Sequence, residues 1–170
     1  VIRCFDSDTV PHIEGSVNPV RDKEIVDLEL CIRDLGMVER KILRTEKLLK
    51  VGDKDAKKTM EVLQVYKAHL EDFKPARTAP VSDDDRKHIA DMYLITDKPV
   101  IYVCNVDDAS AATGNAYSAS LMDSVKDENA EVLVIAAELE ADIAELENQE
   151  DRDIFLADAG LTEPGVNKVV

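Results

Sequence analysis

The sequence has no tryptophan, and aromatic residues make up only 4% of its 170 residues. Proteins that bind single-stranded nucleic acid by stacking need exposed aromatic side chains, so the composition argues against that function. The formal net charge of −15 opposes contact between the whole chain and bare nucleic acid, and we expect no sequence-specific DNA partner. No apolar run approaches the ~18 residues of a transmembrane helix, so no membrane partner is expected either.

Phosphate-binding motifs and metal-ligand patterns are also missing. The sequence contains neither GxxxxGK[ST] nor GxGxxG, so nothing in it can hold phosphate groups in the usual way. Cys4, Cys31 and Cys104 match no zinc or disulfide spacing, so we expect small core residues in a reducing compartment. Residues 83–85 are consecutive aspartates, which point in different directions on a helix and so cannot hold one metal ion together. We expect them to interact favourably with the helix dipole in the first turn of the helix. No metal site is predicted, and without a signal peptide the protein is expected to be cytoplasmic.

The two ends of the chain carry a further expectation. The sequence starts at Val1 without a methionine, inside a predicted strand. It stops at Val170, inside what reads as the first turn of a helix. Because natural domains seldom begin or end inside an element, we expect the chain to be part of a longer protein.

Apolar runs predict buried parallel strands. Residues 100–104 and 131–137 are such runs, a short strand is expected at 1–5, and a helix is expected at 119–129. A strand, a crossover helix and a strand form a βαβ unit, which predicts an α/β fold with a parallel sheet. Asn105, Asp107 and Asp108 follow the middle run, where open α/β sheets bind ligands. An Asx turn and a loop that reads a nucleotide base fit this pattern equally well.

Residues 22–73 predict an antiparallel helical hairpin of the coiled-coil type. Asp22 can cap the first helix, Gly52 ends it, and Asp53 can cap the return helix. Apolar residues that are mostly three or four apart form a narrow stripe, and ~28 residues at 1.5 Å each make an arm roughly 40 Å long. The predicted contacts are made by Ile25, Leu28, Ile32, Leu35, Val38, Ile42 and Leu49 and, on the return helix, Met60, Leu63, Tyr66 and Leu70. A third helix, capped by Ser82, is expected to run to about Leu94.

The far end of this hairpin is basic although the chain is acidic. Residues 40–58 contain eight basic and three acidic residues, a local excess of five positive charges. A solvated helix surface and a contact with a large polyanion such as ribosomal RNA both fit this charge. The candidate contact residues are Arg44, Lys47, Lys50, Lys54, Lys57 and Lys58.

Four stretches together resemble one family across essentially all of the chain. They are RCFDSDTVPHIEGSVNPVRDKEIVDLEL, GDKDAKK, TDKPVIYVCNVDD and EADIAELENQEDRDIFLADAGLTEPGVNKVV. They are similar to the Obg-like ATPase family, the YchF subfamily of P-loop GTPases. The resemblance implies the carboxyl-terminal half of a Ras-like nucleotide-binding domain at residues 1–19 and 96–170, with an inserted helical coiled-coil domain at 20–95. The P-loop, both switches and a TGS domain would lie outside these residues.

The same resemblance implies an activity. Members hydrolyse ATP, in preference to GTP, to the nucleoside diphosphate and phosphate, need Mg²⁺, and are associated with ribosomes. The Mg²⁺ ligands would lie outside this chain, which we expect to be inactive alone. The alternative is that the helical arm is an interaction module that docks on ribosome, RNA or protein without chemistry, or that it only braces the TGS domain.

The resemblance also assigns roles to residues. Asn105 to Asp108 (NVDD) would occupy the base-specificity motif, written NKxD in GTPases and NxxE in this family. The amide of Asn105 would contact the purine edge and Val106 would pack against the base. Asp108 replaces the family's glutamate, which leaves the choice between ATP and GTP open. Ala136 and Ala137 would form the second base loop through their backbone N–H groups, and Phe5 an apolar wall.

His12 is the candidate catalytic residue, and the alternative is that this lone loop histidine is a solvated residue without a role. In Ras-like enzymes a glutamine orients the attacking water, and this family has a hydrophobic residue in its place. The resemblance implies that a histidine in the TVPHIEG loop supplies this function when the loop folds over the γ-phosphate.

Overall fold

The computed structural model of the chain describes residues 1–168. The prediction of a last helical turn includes Val169 and Val170, which lie outside the described residues. Before them, Gly165–Lys168 forms a 3₁₀ turn. The chain divides into two compact units. We call Val1–Lys23 with Val100–Val170 the sheet unit and Glu24–Pro99 the helical unit. The assignment of residues 1–19 and 96–170 to a nucleotide-binding domain and of 20–95 to an inserted domain stays a prediction.

The sheet unit contains, among the described residues, a parallel sheet of three strands. They are β1 (Ile2–Arg3), β2 (Ile101–Asn105) and β3 (Glu131–Ile135), and they lie side by side in this order. Cys104 of the central strand lies opposite Ile2 of β1 and Val134 of β3. This confirms the predicted α/β fold with parallel strands. β3 ends before its predicted limit because a helix begins at Ala137.

The core of the sheet unit is formed by these strands and the helices that follow them. Helices of this unit are α4 (Ala116–Val125), α5 (Ala137–Glu145) and α6 (Gln149–Asp158). Leu121, Leu139 and Leu156, one from each helix, are buried against the sheet core. Cys4 and Cys104 are fully buried free thiols, as predicted, and the neighbouring Cys104 thiol together with burial raises the pKa of Cys4 far above its ordinary value. Both cysteines therefore act as small core residues.

Two long helices joined by a short turn dominate the helical unit. They are α1 (Pro19–Lys50), whose first turns belong to the sheet unit, and α2 (Lys54–Glu71). Gly52 has a φ of +82°, and the Asp53 carboxylate accepts hydrogen bonds from the first backbone N–H groups of α2, as predicted. Lys67 of α2 pairs with Glu39 of α1 at 3.3 Å, which shows the antiparallel arrangement. No helix among the described residues has the length and apolarity needed to cross a membrane.

The first helix starts earlier than predicted. Asn18, not Asp22, precedes its first turn, and its side-chain oxygen accepts a hydrogen bond from the Arg21 N–H at 3.1 Å. Pro19 takes the first helical position, where its restricted φ fits and its missing N–H costs nothing. The prediction of Asp22 as the cap was therefore wrong, and the Asp22 carboxylate is available for other partners within the first turn.

The buried face of α1 also differs from the predicted stripe. Ile25, Leu28 and Ile32 are exposed, whereas Val38 and Ile42 are buried as predicted. The buried face instead includes Cys31, Asp34 and Thr45 in addition to these two residues. Thr45 can occupy this face because its hydroxyl finds a local partner, donating to the Lys41 carbonyl at 2.9 Å. On α2 the predicted Leu63, Tyr66 and Leu70 are all buried.

A third segment packs on the two long helices. It consists of turns of 3₁₀ helix at Ala76–Thr78, Lys87–Met92 and Ile95–Asp97 and of the single α-helical turn α3 (Asp83–Arg86). Ser82 caps α3 as predicted, but the predicted helix to Leu94 was wrong because the chain tightens into 3₁₀ structure after Arg86. Ile89, Met92 and Leu94 complete the core of the helical unit.

Candidate functional site

Asn105 joins the two predicted base loops. It is the last residue of β2, and its side-chain oxygen accepts a hydrogen bond from the backbone N–H of Ala137 at 2.9 Å. Ala137 is the first residue of α5, and only Ala136 separates it from the end of β3. The side-chain nitrogen of Asn105 makes no hydrogen bond with any described residue. One end of this amide is therefore fixed by the protein, while its donor end can serve a ligand.

The three residues after Asn105 have different environments. Val106 is buried in the core of the sheet unit, and its N–H donates to the Ile135 carbonyl at 2.9 Å. Asp107 caps the 3₁₀ turn Asp108–Ser110 by accepting a hydrogen bond from the Ser110 N–H at 3.0 Å. Asp108 is exposed, and its carboxylate has no hydrogen-bond or ion-pair partner among the described residues. Of the two aspartates, Asp107 stabilises the turn and Asp108 can receive a ligand.

The second loop ends at the start of α5. Ala136, the residue before α5, is buried, and its side chain makes no capping hydrogen bond to the helix. The Asn105 oxygen performs part of this role by accepting the Ala137 N–H. The hydrogen bond between Asn105 and Ala137 therefore fixes the second loop relative to the first.

Phe5 lies just beyond β1 at the same edge of the sheet. The backbone N–H of Cys4 donates to the Asn105 carbonyl at 2.7 Å, so the chain leaves β1 directly beside the end of β2. The Arg3 guanidinium lies 4.6 Å from the centroid of the half-buried Phe5 ring and donates to the carbonyls of Phe5 and Val10. These contacts hold the ring and the start of the following loop in place.

His12 is held by the first turn of α1. Its Nε2 lies 2.8 Å from the Asp22 carboxylate, and its Nδ1 accepts a hydrogen bond from the Glu14 N–H at 3.1 Å. Nδ1 is therefore the acceptor and Nε2 donates to Asp22. Arg21 binds the other oxygen of the same carboxylate at 2.9 Å. Both ring nitrogens are thus engaged, and action on a water molecule requires Nε2 to leave Asp22.

Asn115 is a residue that sequence reasoning missed as part of this region. Asn115 caps α4, and its side-chain nitrogen donates to the Cys4 carbonyl at 2.7 Å. The spacing of Asn115 and Ser118 is that of a helix N-terminus and could have indicated the cap. Its contact with a residue 111 positions away has no local signal in the sequence.

The basic tip comprises the six predicted contact residues at the turn between α1 and α2. All six are exposed, and only Lys58 has an ion pair within the described structure, with Asp85 at 2.9 Å. The side chains of Leu43 and Val51 are exposed in the same stretch. The unpaired members are Arg44, Lys47, Lys50, Lys54 and Lys57. The tip therefore offers five cations that the described chain does not neutralise.

Relatives of known name match the chain from end to end. The Bacillus subtilis (strain 168) protein named ribosome-binding ATPase YchF is 38% identical over 172 residues, which cover 100% of this chain and 47% of the relative. The proteins of the same name from Escherichia coli O157:H7 and Haemophilus ducreyi are 38% and 37% identical over 170 residues, and each match covers 46% of the relative. Over its whole length the chain is therefore similar to members of the YchF family. It spans about half the length of these YchF relatives, and no protein-family model matches it.

The fold agrees with that family. The structure of the Schizosaccharomyces pombe YchF GTPase superposes with a TM-score of 0.85 and covers 99% of this chain and 46% of the other, at 22% identity. At this identity the likeness establishes the fold. The chain therefore has the fold of about half of the Schizosaccharomyces pombe structure.

Proposed function

We propose that these residues form the base-recognising half of the nucleotide site in a ribosome-associated enzyme that hydrolyses ATP or GTP to the nucleoside diphosphate and phosphate. The observation that carries this proposal is the hydrogen bond between the Asn105 side chain and the Ala137 N–H, which joins the two loops. The names of the YchF relatives, ribosome-binding ATPase and GTPase, support the same reaction and the ribosome as partner. Such a protein acts in the cytoplasm.

The base would be recognised by the groups left unused in the loops. Adenine and guanine both present N7 as an acceptor, which suits the free side-chain nitrogen of Asn105. The exposed Asp108 carboxylate can accept hydrogen bonds from the N1–H and amino group of guanine or from the amino group of adenine. Asp108 is thus proposed as the residue that sets the preference between ATP and GTP. Phe5 and Ala136 are proposed as the apolar neighbours of the base.

Binding of the phosphates is assigned to residues outside this stretch. Mg²⁺ binding needs several oxygen ligands around one position, and the described residues contain no cluster of three or more histidine, cysteine or acidic side chains able to hold a metal ion. We propose that the Mg²⁺ ligands also lie outside this stretch. We propose that the 170-residue chain alone binds nucleotide negligibly and hydrolyses none. A calorimetric titration that gave micromolar ATP affinity for this chain would refute this statement.

Substitutions in the full-length protein that contains these residues test the base site. Asn105→Ala removes both the contact with Ala137 and the proposed N7 donor, and we expect affinity for ATP and GTP to fall about tenfold or more. Asp108→Asn keeps the size of the side chain but loses the carboxylate, and we expect it to change the ratio of the two affinities. Isothermal titration calorimetry with each nucleotide measures both effects. The matched control is Asp123→Asn, on the exposed surface of α4, which is expected to change neither. Parental affinities in Asn105→Ala would contradict the proposal.

A second candidate function belongs to the basic tip, because five of its cations have no ion pair in the described structure. We propose that it contacts the phosphate backbone of ribosomal RNA. The competing possibilities, a solvated surface or a brace for another domain, leave ribosome binding independent of these charges. The experiment reverses four tip lysines to glutamate in the full-length protein and measures co-sedimentation with ribosomes. The reversed residues are Lys47, Lys50, Lys54 and Lys57.

The control for the tip reverses four lysines elsewhere, so that the change in net charge is the same. We expect the tip variant to lose most ribosome binding and the control to retain most of it, and we expect parental binding to weaken as salt increases. Equal co-sedimentation of the tip variant and the parent would refute the contact. The control lysines are Lys74, Lys87, Lys98 and Lys126.

A further inference from the structure

Asn115 makes more contacts than a helix cap needs. Its side-chain oxygen accepts hydrogen bonds from the N–H groups of Tyr117 and Ser118 at 3.0 and 3.1 Å, which completes the cap of α4. Its side-chain nitrogen donates to the Cys4 carbonyl at 2.7 Å and to the Ser110 hydroxyl at 3.4 Å. The same amide therefore links α4, the end of β1 and the loop after β2.

The orientation of this amide is determined by its partners. The oxygen faces two backbone N–H donors, and the nitrogen faces a carbonyl acceptor. Exchanging oxygen and nitrogen would place an NH₂ group against N–H donors and an oxygen against the Cys4 carbonyl. Asn115 is therefore held in one orientation by three hydrogen bonds. Ser118 adds a reciprocal contact, because its hydroxyl accepts the Asn115 N–H at 2.8 Å.

Two hydrogen bonds connect Asn115 to Asn105. The Cys4 carbonyl accepts from Asn115, and the Cys4 N–H donates to the Asn105 carbonyl at 2.7 Å. The Asn105 side chain in turn accepts from the Ala137 N–H at 2.9 Å. A continuous path of short hydrogen bonds thus runs from the cap of α4, through the end of β1, to both loops of the candidate base site.

A second path from Asn115 reaches the turn that carries Asp108. The Ser110 hydroxyl accepts from Asn115, and the Ser110 carbonyl accepts the Gly114 N–H at 2.7 Å. Ser110 is the last residue of the 3₁₀ turn that begins at Asp108. Hydrogen bonds at the cap of α4 therefore join the two ends of the loop between Asp108 and Asn115.

We propose that Asn115 is a positioning residue for nucleotide-base recognition: its side-chain nitrogen holds the end of β1 and the Asp108 turn in the register at which Asn105 and Asp108 meet the base. This inference rests on the proposed function of Asn105 and Asp108. Asn115 touches no base itself and acts through Cys4 and Ser110. Small displacements of binding groups reduce affinity strongly, so loss of this contact weakens nucleotide binding even though α4 stays capped.

The variant that separates the two roles is Asn115→Asp. Aspartate caps helices as well as asparagine does, so the hydrogen bonds from Tyr117 and Ser118 are retained. The donor to Cys4 is lost and replaced by a carboxylate oxygen facing a carbonyl. In the full-length protein we expect about a tenfold loss of affinity for ATP and GTP and a changed ratio between them. We also expect faster amide hydrogen exchange in peptides that contain Ala137.

The matched control is Ser118→Ala, which removes the reciprocal cap contact but leaves the donor to Cys4 in place. It is expected to lower thermal stability and to leave the affinity ratio and the exchange at Ala137 unchanged. Asn115→Ser is the second variant: it keeps a capping oxygen, has no amide donor, and should behave as Asn115→Asp does.

The outcomes distinguish this inference from the proposed function. If Asn105→Ala weakens nucleotide binding and both Asn115 variants bind as the parent does, Asn115 is a helix cap only and the inference is overturned. If Asn105→Ala also binds as the parent does, the base site itself is refuted. If all variants lose affinity but Ser118→Ala loses as much as Asn115→Asp, the effect is one of stability and the positioning role is refuted.

Discussion

The helical unit and the sheet unit use buried or half-buried polar side chains in opposite ways. In the helical unit Asp34 is completely buried, and its carboxylate accepts hydrogen bonds from the N–H groups of Ile95 and Thr96 and from the Thr96 hydroxyl at 2.7–3.0 Å. In the sheet unit Asn105 is half-buried and its side-chain nitrogen has no partner among the described residues. A polar group saturated by its own chain serves stability, whereas one with capacity left is available to a ligand.

The Asp34 cluster ties three segments of the helical unit together. The Thr96 hydroxyl that donates to Asp34 also accepts the Ala76 N–H at 2.9 Å. One carboxylate on α1 thereby fixes both the chain after α2 and the turn at Ile95–Asp97. The comparable path in the sheet unit runs through Asn115 and ends at groups open to solvent. Mutations in the Asp34 cluster should therefore lower the stability of the fold, and mutations along the path through Asn115 should weaken nucleotide binding.

The largest effect is expected for Asp34→Ala. The substitution leaves three donors without an acceptor, two of them in fully buried surroundings. Each unsatisfied buried group costs about 1–3 kcal/mol, and partial relaxation makes a total loss of about 3–5 kcal/mol the expected result. Urea denaturation of the chain followed by far-ultraviolet circular dichroism measures it. Asp34→Asn retains one acceptor oxygen and should lose less; a loss below about 1 kcal/mol in Asp34→Ala would contradict the structural role.

The next effect is expected in the sheet unit for Gly114→Ala. Gly114 has a φ of +71°, and a methyl group there would lie 2.6 Å from the Ser118 hydroxyl oxygen. The left-handed backbone alone costs an alanine about 1–2 kcal/mol, and the hydroxyl must also move. We therefore expect the free energy of unfolding to fall by about 1–2 kcal/mol. Gly36→Ala, in α1 with no positive φ and only a distant neighbour, is the control and should be neutral or stabilising. Equal behaviour of the two variants would show that the Gly114 turn is not constrained.

Much of the fold was predictable because its signals are local. The apolar runs of β2 and β3 predicted buried parallel strands, and their polar ends indicated the ligand-binding edge. Asp53 and Ser82 were predicted as caps because capping depends on neighbours two or three residues away. The hairpin followed from apolar spacing on α2 and from Gly52 in the turn.

The unpredicted features depend on contacts between distant residues. Asp34 lies 62 residues from Thr96, and Asn115 lies 111 residues from Cys4. Nothing in the periodicity of a sequence marks such polar pairs. The rotated buried face of α1 has the same origin, because the third segment supplies the donors that let Asp34 be buried. The start of α1 at Pro19 does have a local signal, because Asn18 can cap a helix and Pro19 suits its first position. The prediction nevertheless favoured Asp22, three positions later, as the cap.

A smaller effect with the opposite sign is expected for Tyr66→Phe. The Tyr66 hydroxyl is buried and has no hydrogen-bond partner among the described residues, and burial raises its pKa. Because an unpaired buried hydroxyl is unfavourable, its removal should leave stability unchanged or increase it by up to about 1 kcal/mol. Tyr102→Phe is the matched variant in the sheet unit. The Tyr102 hydroxyl donates to Glu128 at 2.8 Å, so that substitution should destabilise by about 1 kcal/mol. A destabilised Tyr66→Phe protein would reveal a partner for this hydroxyl.

The smallest effect is expected at the surface ion pair between Lys58 and Asp85. The hydrogen bond from Lys58 lowers the pKa of Asp85 below its ordinary value, and the same contact raises the pKa of Lys58. A lowered carboxyl pKa contributes stability above the ordinary carboxyl pKa of ~4 and loses it as the pH falls; a raised lysine pKa contributes below ~10 and loses it as the pH rises. The pair should therefore stabilise the helical unit throughout the neutral range. Asp85→Asn should lower the thermal midpoint slightly at pH 7, and this difference should shrink at pH 3 and in 1 M salt. A difference independent of both pH and salt would mean that the charge of Asp85 is not what stabilises the helical unit.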